Sequence, residues 1–150
     1  MPHFGLIDDS LNEADASLLR ARLHVRGGHI RLSSGRKEDG IAALYDAMLC
    51  GMLRFVEDPE LKKKLRIAET DDLTDHRTLF IILQKSGIFN QSIAMDDFDY
   101  LYQKMDEAIE GELTDFNEEE FLSKLNRIIT CLEVIPFDER DLPKGDSVTL

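Results

Sequence analysis

The chain is poor in the features that name a chemistry. Its two cysteines, Cys50 and Cys131, each sit inside an apolar helical pattern, so they read as small buried hydrophobes in a reducing compartment and not as a disulfide pair. No apolar run approaches the ~20 residues that span a bilayer. The opening MPHFGLIDDS lacks the basic-then-apolar order of a signal peptide. Both observations exclude a membrane role and point to the cytoplasm. No glycine-rich phosphate loop, Cys-x-x-Cys pair or serine in a nucleophile turn occurs, so no cofactor set and no catalytic set is legible. No alternating apolar and polar run is long enough for a sheet.

Acid is abundant. Thirty Asp and Glu against eighteen Lys and Arg give a formal net charge of −12, which repels nucleic acid, DNA above all, from the molecule as a whole. The distribution is uneven: from Arg20 to Lys37 there are six basic residues and no acidic one. That segment either pairs with acidic helices, within a subunit or across a dimer, or forms a local anion site.

Apolar spacings of three and four run through most of the chain and predict helices. The stretch Glu38 to Asp58 is the centre of the pattern. Ile41, Leu44, Met48, Met52 and Phe55 form one stripe, Tyr45, Leu49 and Val56 widen it, and Ala42, Ala43, Ala47 and Gly51 allow close approach of a second backbone. The preceding helix is expected to open at Ser10, where Ser10-Leu-Asn-Glu13 has the capping-box form. Its stripe is Leu11, Ala14, Leu18, Ala21, Val25, Gly28 and Leu32, and Gly35 suits the left-handed position after its end. Gly27-Gly28 interrupts good helix formers, which predicts close packing of the Glu38 helix on Gly28 or a kink exposed to a ligand.

Asp58-Pro59 stops the central helix and starts a short one to about Glu69. Further helices are expected around Leu79, Phe80, Ile82 and Leu83, ending at Ser86-Gly87, and from about Asp96 with Phe98, Leu101, Tyr102, Met105, Ala108 and Ile109 inward. The last runs from Asn117 to a stop at Pro136. The fold class is therefore all-α, an up-and-down bundle of five to six helices built on a long antiparallel helical hairpin. Residues 1–136 form one domain and 137–150 an irregular tail.

Residues 15–110 resemble a HEPN-like domain, the helical bundle of bacterial toxin–antitoxin partners of nucleotidyltransferases. The resemblance rests on the basic first helix LLRARLHVRGGHIRLSSGR, the small-residue-rich second helix EDGIAALYDAMLCGMLRF, and DHRTLFIILQKSGI, which is similar to the family's His-led helix. It implies dimerisation through helix faces and binding of a partner or nucleotide. The family's ribonuclease members carry an arginine followed by four to six residues and a histidine, late in the bundle. Here the matching spacing is Arg22 to His29 in the first helix, where about two turns, roughly 10 Å, separate the pair. Gly35, Ala47 and Pro59 also resemble the small-residue, alanine and proline positions of a single tetratricopeptide repeat, which would make the chain an adaptor; Gly51 and Arg54 depart from that pattern, and no second copy occurs.

Among candidate sites, His24 and His29 lie about 140° apart around a helix, so they form no two-histidine metal site. Asp71, Asp72, Asp75 and His76 could gather around a cation or cap a helix. Met95-Asp-Asp-Phe-Asp99 lacks the glycine and terminal glutamate of a calcium loop and reads as a cap. The remaining candidate is an anion- or partner-binding face of Arg22, Arg26 and His29, flanked by Arg20, His24 and Arg31, whose members lie one turn apart and could clamp a phosphate or carboxylates. These readings point to a non-catalytic helical interaction protein that forms a homodimer or binds a protein partner, with a nucleotide or RNA as the alternative ligand of the basic face.

Overall fold

The computed structural model describes residues 11–144. Among these the chain forms six α-helices: α1 Glu13–Ser33, α2 Lys37–Glu57, α3 Pro59–Lys62, α4 His76–Lys85, α5 Met95–Glu110 and α6 Glu118–Cys131, followed by a 3-10 turn at Glu139–Asp141. The all-helical architecture and the long α1–α2 hairpin are as the periodicity predicts. No helix of the described residues is long and apolar enough to cross a membrane.

The hairpin closes where two glycines meet. A Cβ on Gly28 would lie 2.6 Å from Leu44 Cγ and 3.3 Å from the Gly40 carbonyl oxygen, and one on Gly40 would lie 3.1 Å from the Gly28 carbonyl oxygen. The Gly27-Gly28 interruption is therefore a packing device, and Gly28 is buried, not an exposed kink. Gly35 turns the chain at φ +81°. Helix α2 is enclosed by α1, α3, α4, α5 and α6. Its Ile41, Leu44, Met48, Met52 and Phe55 join Phe80, Phe98, Phe121 and Ile128 in one core.

Four boundaries and faces differ from expectation. Helix α1 is capped by Asn12, whose Oδ1 accepts the Asp15 N–H at 2.8 Å; the expected start at Ser10 lies outside the described residues. Helix α3 ends at Lys62, not Glu69, because it contains no buried residue and three successive lysines repel, so nothing carries a short helix past its first turn. Helix α6 ends at Cys131, ahead of Pro136, and Glu133 closes it in the left-handed region at φ +66°. Tyr102 and Ile109, expected inward on α5, are 44% and 65% exposed.

The segment after Pro136 runs back along α1. Leu142 is buried in a second cluster with Ala16 and Leu23, with Leu11, Leu19 and Phe137 packed around it. Helix α1 thus has two covered faces, one toward α2 and one toward the chain's C-terminal part.

Candidate functional site

The basic face of α1 is engaged within the molecule. Arg22 donates from Nε to the Val134 carbonyl at 3.0 Å and from Nη2 to the Glu133 carbonyl at 3.1 Å. Arg54 of α2 donates to the Leu132 carbonyl and the Glu133 carboxylate, each at 3.3 Å. These two arginines pin the left-handed turn after α6, whose conformation costs a non-glycine residue ~1 kcal/mol or more. Burial, reinforced by Arg54, lowers the Arg22 guanidinium below its ordinary value. Arg26 donates to the Pro143 carbonyl at 2.6 Å and to Glu139 at 3.4 Å. His24 and Arg31 are only 6% and 4% exposed, Arg20, Arg22 and Arg26 are half-buried, and His29 alone of the six is exposed. Arg22 and Arg26 share a face, but its occupant is the C-terminal segment, which periodicity could not foresee because it arrives from more than 100 residues away.

Of the acidic candidates, Asp75 caps a helix, and Asp71 and Asp72 brace the turns before it. Asp75 opens α4, accepting from the Thr78 N–H at 2.9 Å and its hydroxyl at 2.7 Å. Asp72 accepts from the Thr74 N–H and hydroxyl, and Asp71 from the Ala68 N–H. Hydrogen bonds from Thr78 and Thr74 hold the Asp75 and Asp72 carboxyls below the usual range. No group of metal-ligating side chains occurs among the described residues. Asp97 follows the same logic in α5, accepting from the Ala94 N–H.

A cleft of about 460 Å³ opens beside this cap, lined by Thr74, Asp75, His76, Arg77, Phe98, Asp99 and Tyr102. Behind its His76 wall lies buried Tyr45 of α2, whose hydroxyl is 2.8 Å from His76 Nδ1. Tyr45 also meets Phe98 and Tyr102, with ring centroids 6.4 and 6.0 Å apart. Burial, with Tyr102, Asp46 and Asp75 nearby, pushes the Tyr45 hydroxyl well above its ordinary value, so it stays protonated. The hydroxyl and Nδ1 share one hydrogen bond, in which the hydroxyl donates when Nδ1 carries no proton. Burial also raises the Asp46 carboxyl, and His76 opposes the shift. Arg77 and Asp99 close the rim with an ion pair at 3.2 Å between partly exposed groups, a contact of small net value.

The outer surface beyond the cleft is apolar and charged by turns. On α4 the exposed side chains are Arg77, Ile81 and Lys85, one per turn, while Leu79, Phe80, Ile82 and Leu83 face the core. On α5, Tyr102 and Ile109 lie in line, bordered by exposed Asp99, Asp106 and Glu110. The backbone of Arg66 is tied to the far end of α4 by its N–H to Ser86 Oγ at 2.8 Å. The row at positions 77, 81 and 85 is visible in the sequence as a four-residue spacing; the burial that makes it an outer face is not. Comparison with known proteins finds no protein-family model, no curated protein and no solved structure that matches this chain.

Proposed function

We propose that the protein is a non-catalytic helical interaction protein whose working surface is the outer face of α4 and α5, and that it binds a basic, amphipathic protein segment there. The observation that carries this reading is the pair Tyr102 and Ile109, 44% and 65% exposed, beside the acidic row Asp99, Asp106 and Glu110. An apolar stripe edged by one charge sign complements a helix with an apolar stripe edged by the other. The acidic edge disfavours a phosphate backbone. The guanidinium groups of Arg22 and Arg26 are directed at backbone carbonyls and Glu139, which supports a partner-binding role over action on RNA through α1. The HEPN-like resemblance agrees in making helix faces the binding surface.

The test is a titration of isotopically labelled protein with a synthetic leucine–lysine amphipathic helix, followed by amide chemical shifts. Shifts are expected around Ile81, Tyr102 and Ile109, and Tyr102→Ala together with Ile109→Ser should weaken binding at least tenfold while leaving the fold intact. A response spread over α1, or an equal response to a leucine–glutamate helix, overturns the reading.

A further inference from the structure

We infer that the outer face of α4 is a self-complementary interface whose occupant is the same face of a second copy, packed antiparallel about a two-fold axis through Ile81. The inference rests on the interaction surface proposed above and names its partner.

The geometry of the exposed row supports it. Arg77, Ile81 and Lys85 are exposed at successive turns of α4, with Ile81 at the midpoint and 37% exposed. A two-fold axis at Ile81 sets each residue 81 − n against 81 + n of the other copy, so the Arg77 end of one helix faces the Lys85 end of its mate, each end ~6 Å along the helix from the axis. The two ends carry opposite charge. At the N-terminal end, Arg77 is outweighed by Asp72, Asp75 and Asp99, of which Asp99 is its ion-pair partner at 3.2 Å. At the C-terminal end stands exposed Lys85, and the backbone of exposed Arg66 is held there by its N–H bond to Ser86 Oγ.

An isologous interface requires one patch that complements itself. A face with an acidic end, an apolar centre and a basic end satisfies that under an antiparallel two-fold. A parallel arrangement would oppose like charges. Ile81 would pack on Ile81, and the cleft mouth at Tyr102 and Asp99 would receive the partner's Lys85, an ammonium beside an aromatic ring and a carboxylate. Among the described helices α4 packs on α2 and α5, and Arg77, Ile81 and Lys85 stay exposed on its outer side.

The experiment is sedimentation equilibrium of the full chain with four variants. The wild type is expected near twice its 17.1 kDa, dissociating as salt rises. Ile81→Asp should abolish the dimer, and Lys85→Glu and Asp99→Lys should each weaken it at least tenfold. Mixing the last two should restore a one-to-one heterodimer, because in that pair each acidic end meets a basic one. Circular dichroism and thermal melts of each variant separate a lost interface from a lost fold, and Gln103→Glu, on the solvent side of α5, serves as the control. A monomer at every concentration, a dimer indifferent to Ile81→Asp, or failure of the mixed pair to recover overturns the inference. If the chain is monomeric while the lysine peptide still shifts Tyr102 and Ile109, the second copy is rejected and the partner-binding surface stands; if the chain is monomeric and the peptide shifts nothing, both are rejected.

Discussion

At the scale of single residues, the position with least tolerance is Gly28. Alanine there gains about 1 kcal/mol of helix propensity, but its Cβ would meet Leu44 Cγ at 2.6 Å with the Gly40 carbonyl close behind. Leu44 is fully buried, so relief means moving α1 from α2, an overpacking cost of about 1 to 3 kcal/mol. Gly28→Ala is expected to lower the urea midpoint, the reverse of what helix propensity alone predicts. The need for a small residue at Gly28 is legible from the sequence, since two glycines inside good helix formers call for a reason. The Tyr45–His76 bond is not, because its partners lie 31 residues apart and each reads locally as something else, an apolar flank and a cap.

At the scale of elements, the signals that worked are those complete within one turn of chain. Gly35, Gly87 and Gly111 all adopt positive φ where helices end, and Asp58, Asp75 and Asn117 cap where helices begin. The signals that failed depend on neighbours: α3 stops early for want of a buried face, and α6 is closed by Glu133 with help from Arg22 and Arg54. The joint between α5 and α6 is held by Asp97, which accepts from the Ala94 N–H at 2.9 Å and from Lys124 at 3.0 Å, with Arg127 at 3.6 Å. Burial alone would raise its carboxyl, but the Ala94 N–H, Lys124 and Arg127 outweigh burial and hold it below the ordinary carboxylate range.

A carboxyl depressed in the folded state adds stability that is complete above its unfolded value and is lost as pH falls through the folded one. Asp97→Ala is expected to cost about 3 kcal/mol at neutral pH, since it leaves Lys124 without its partner. That deficit should shrink in acid below the ordinary carboxylate range. Urea unfolding across pH checks both the size and the sign.

At the scale of the whole molecule, the C-terminal segment belongs to the packing of α1. Residues 137–144 bring Leu142 against Ala16 and Leu23 and place the Pro143 carbonyl on Arg26. A chain ending at Pro136 is expected to lose about 2 to 3 kcal/mol, near the value of one buried leucine plus a charge-assisted hydrogen bond. A chain ending at Lys144 keeps both contacts, and a denaturant series on the two lengths measures the difference.

The sequence by itself determined the helical class, the α1–α2 hairpin, its glycine seam and most caps, because these follow from periods of three and four and from groups a few residues apart. It also marked Arg22 and Arg26 as partners on one face. Only the tertiary structure decided what that face meets, that His24 and Arg31 are buried, and that Ile81, Tyr102 and Ile109 are left outside. Those outcomes depend on which distant segment packs on each surface. A backbone carbonyl 112 positions along the chain, such as the one Arg22 holds at Val134, leaves no trace in local spacing.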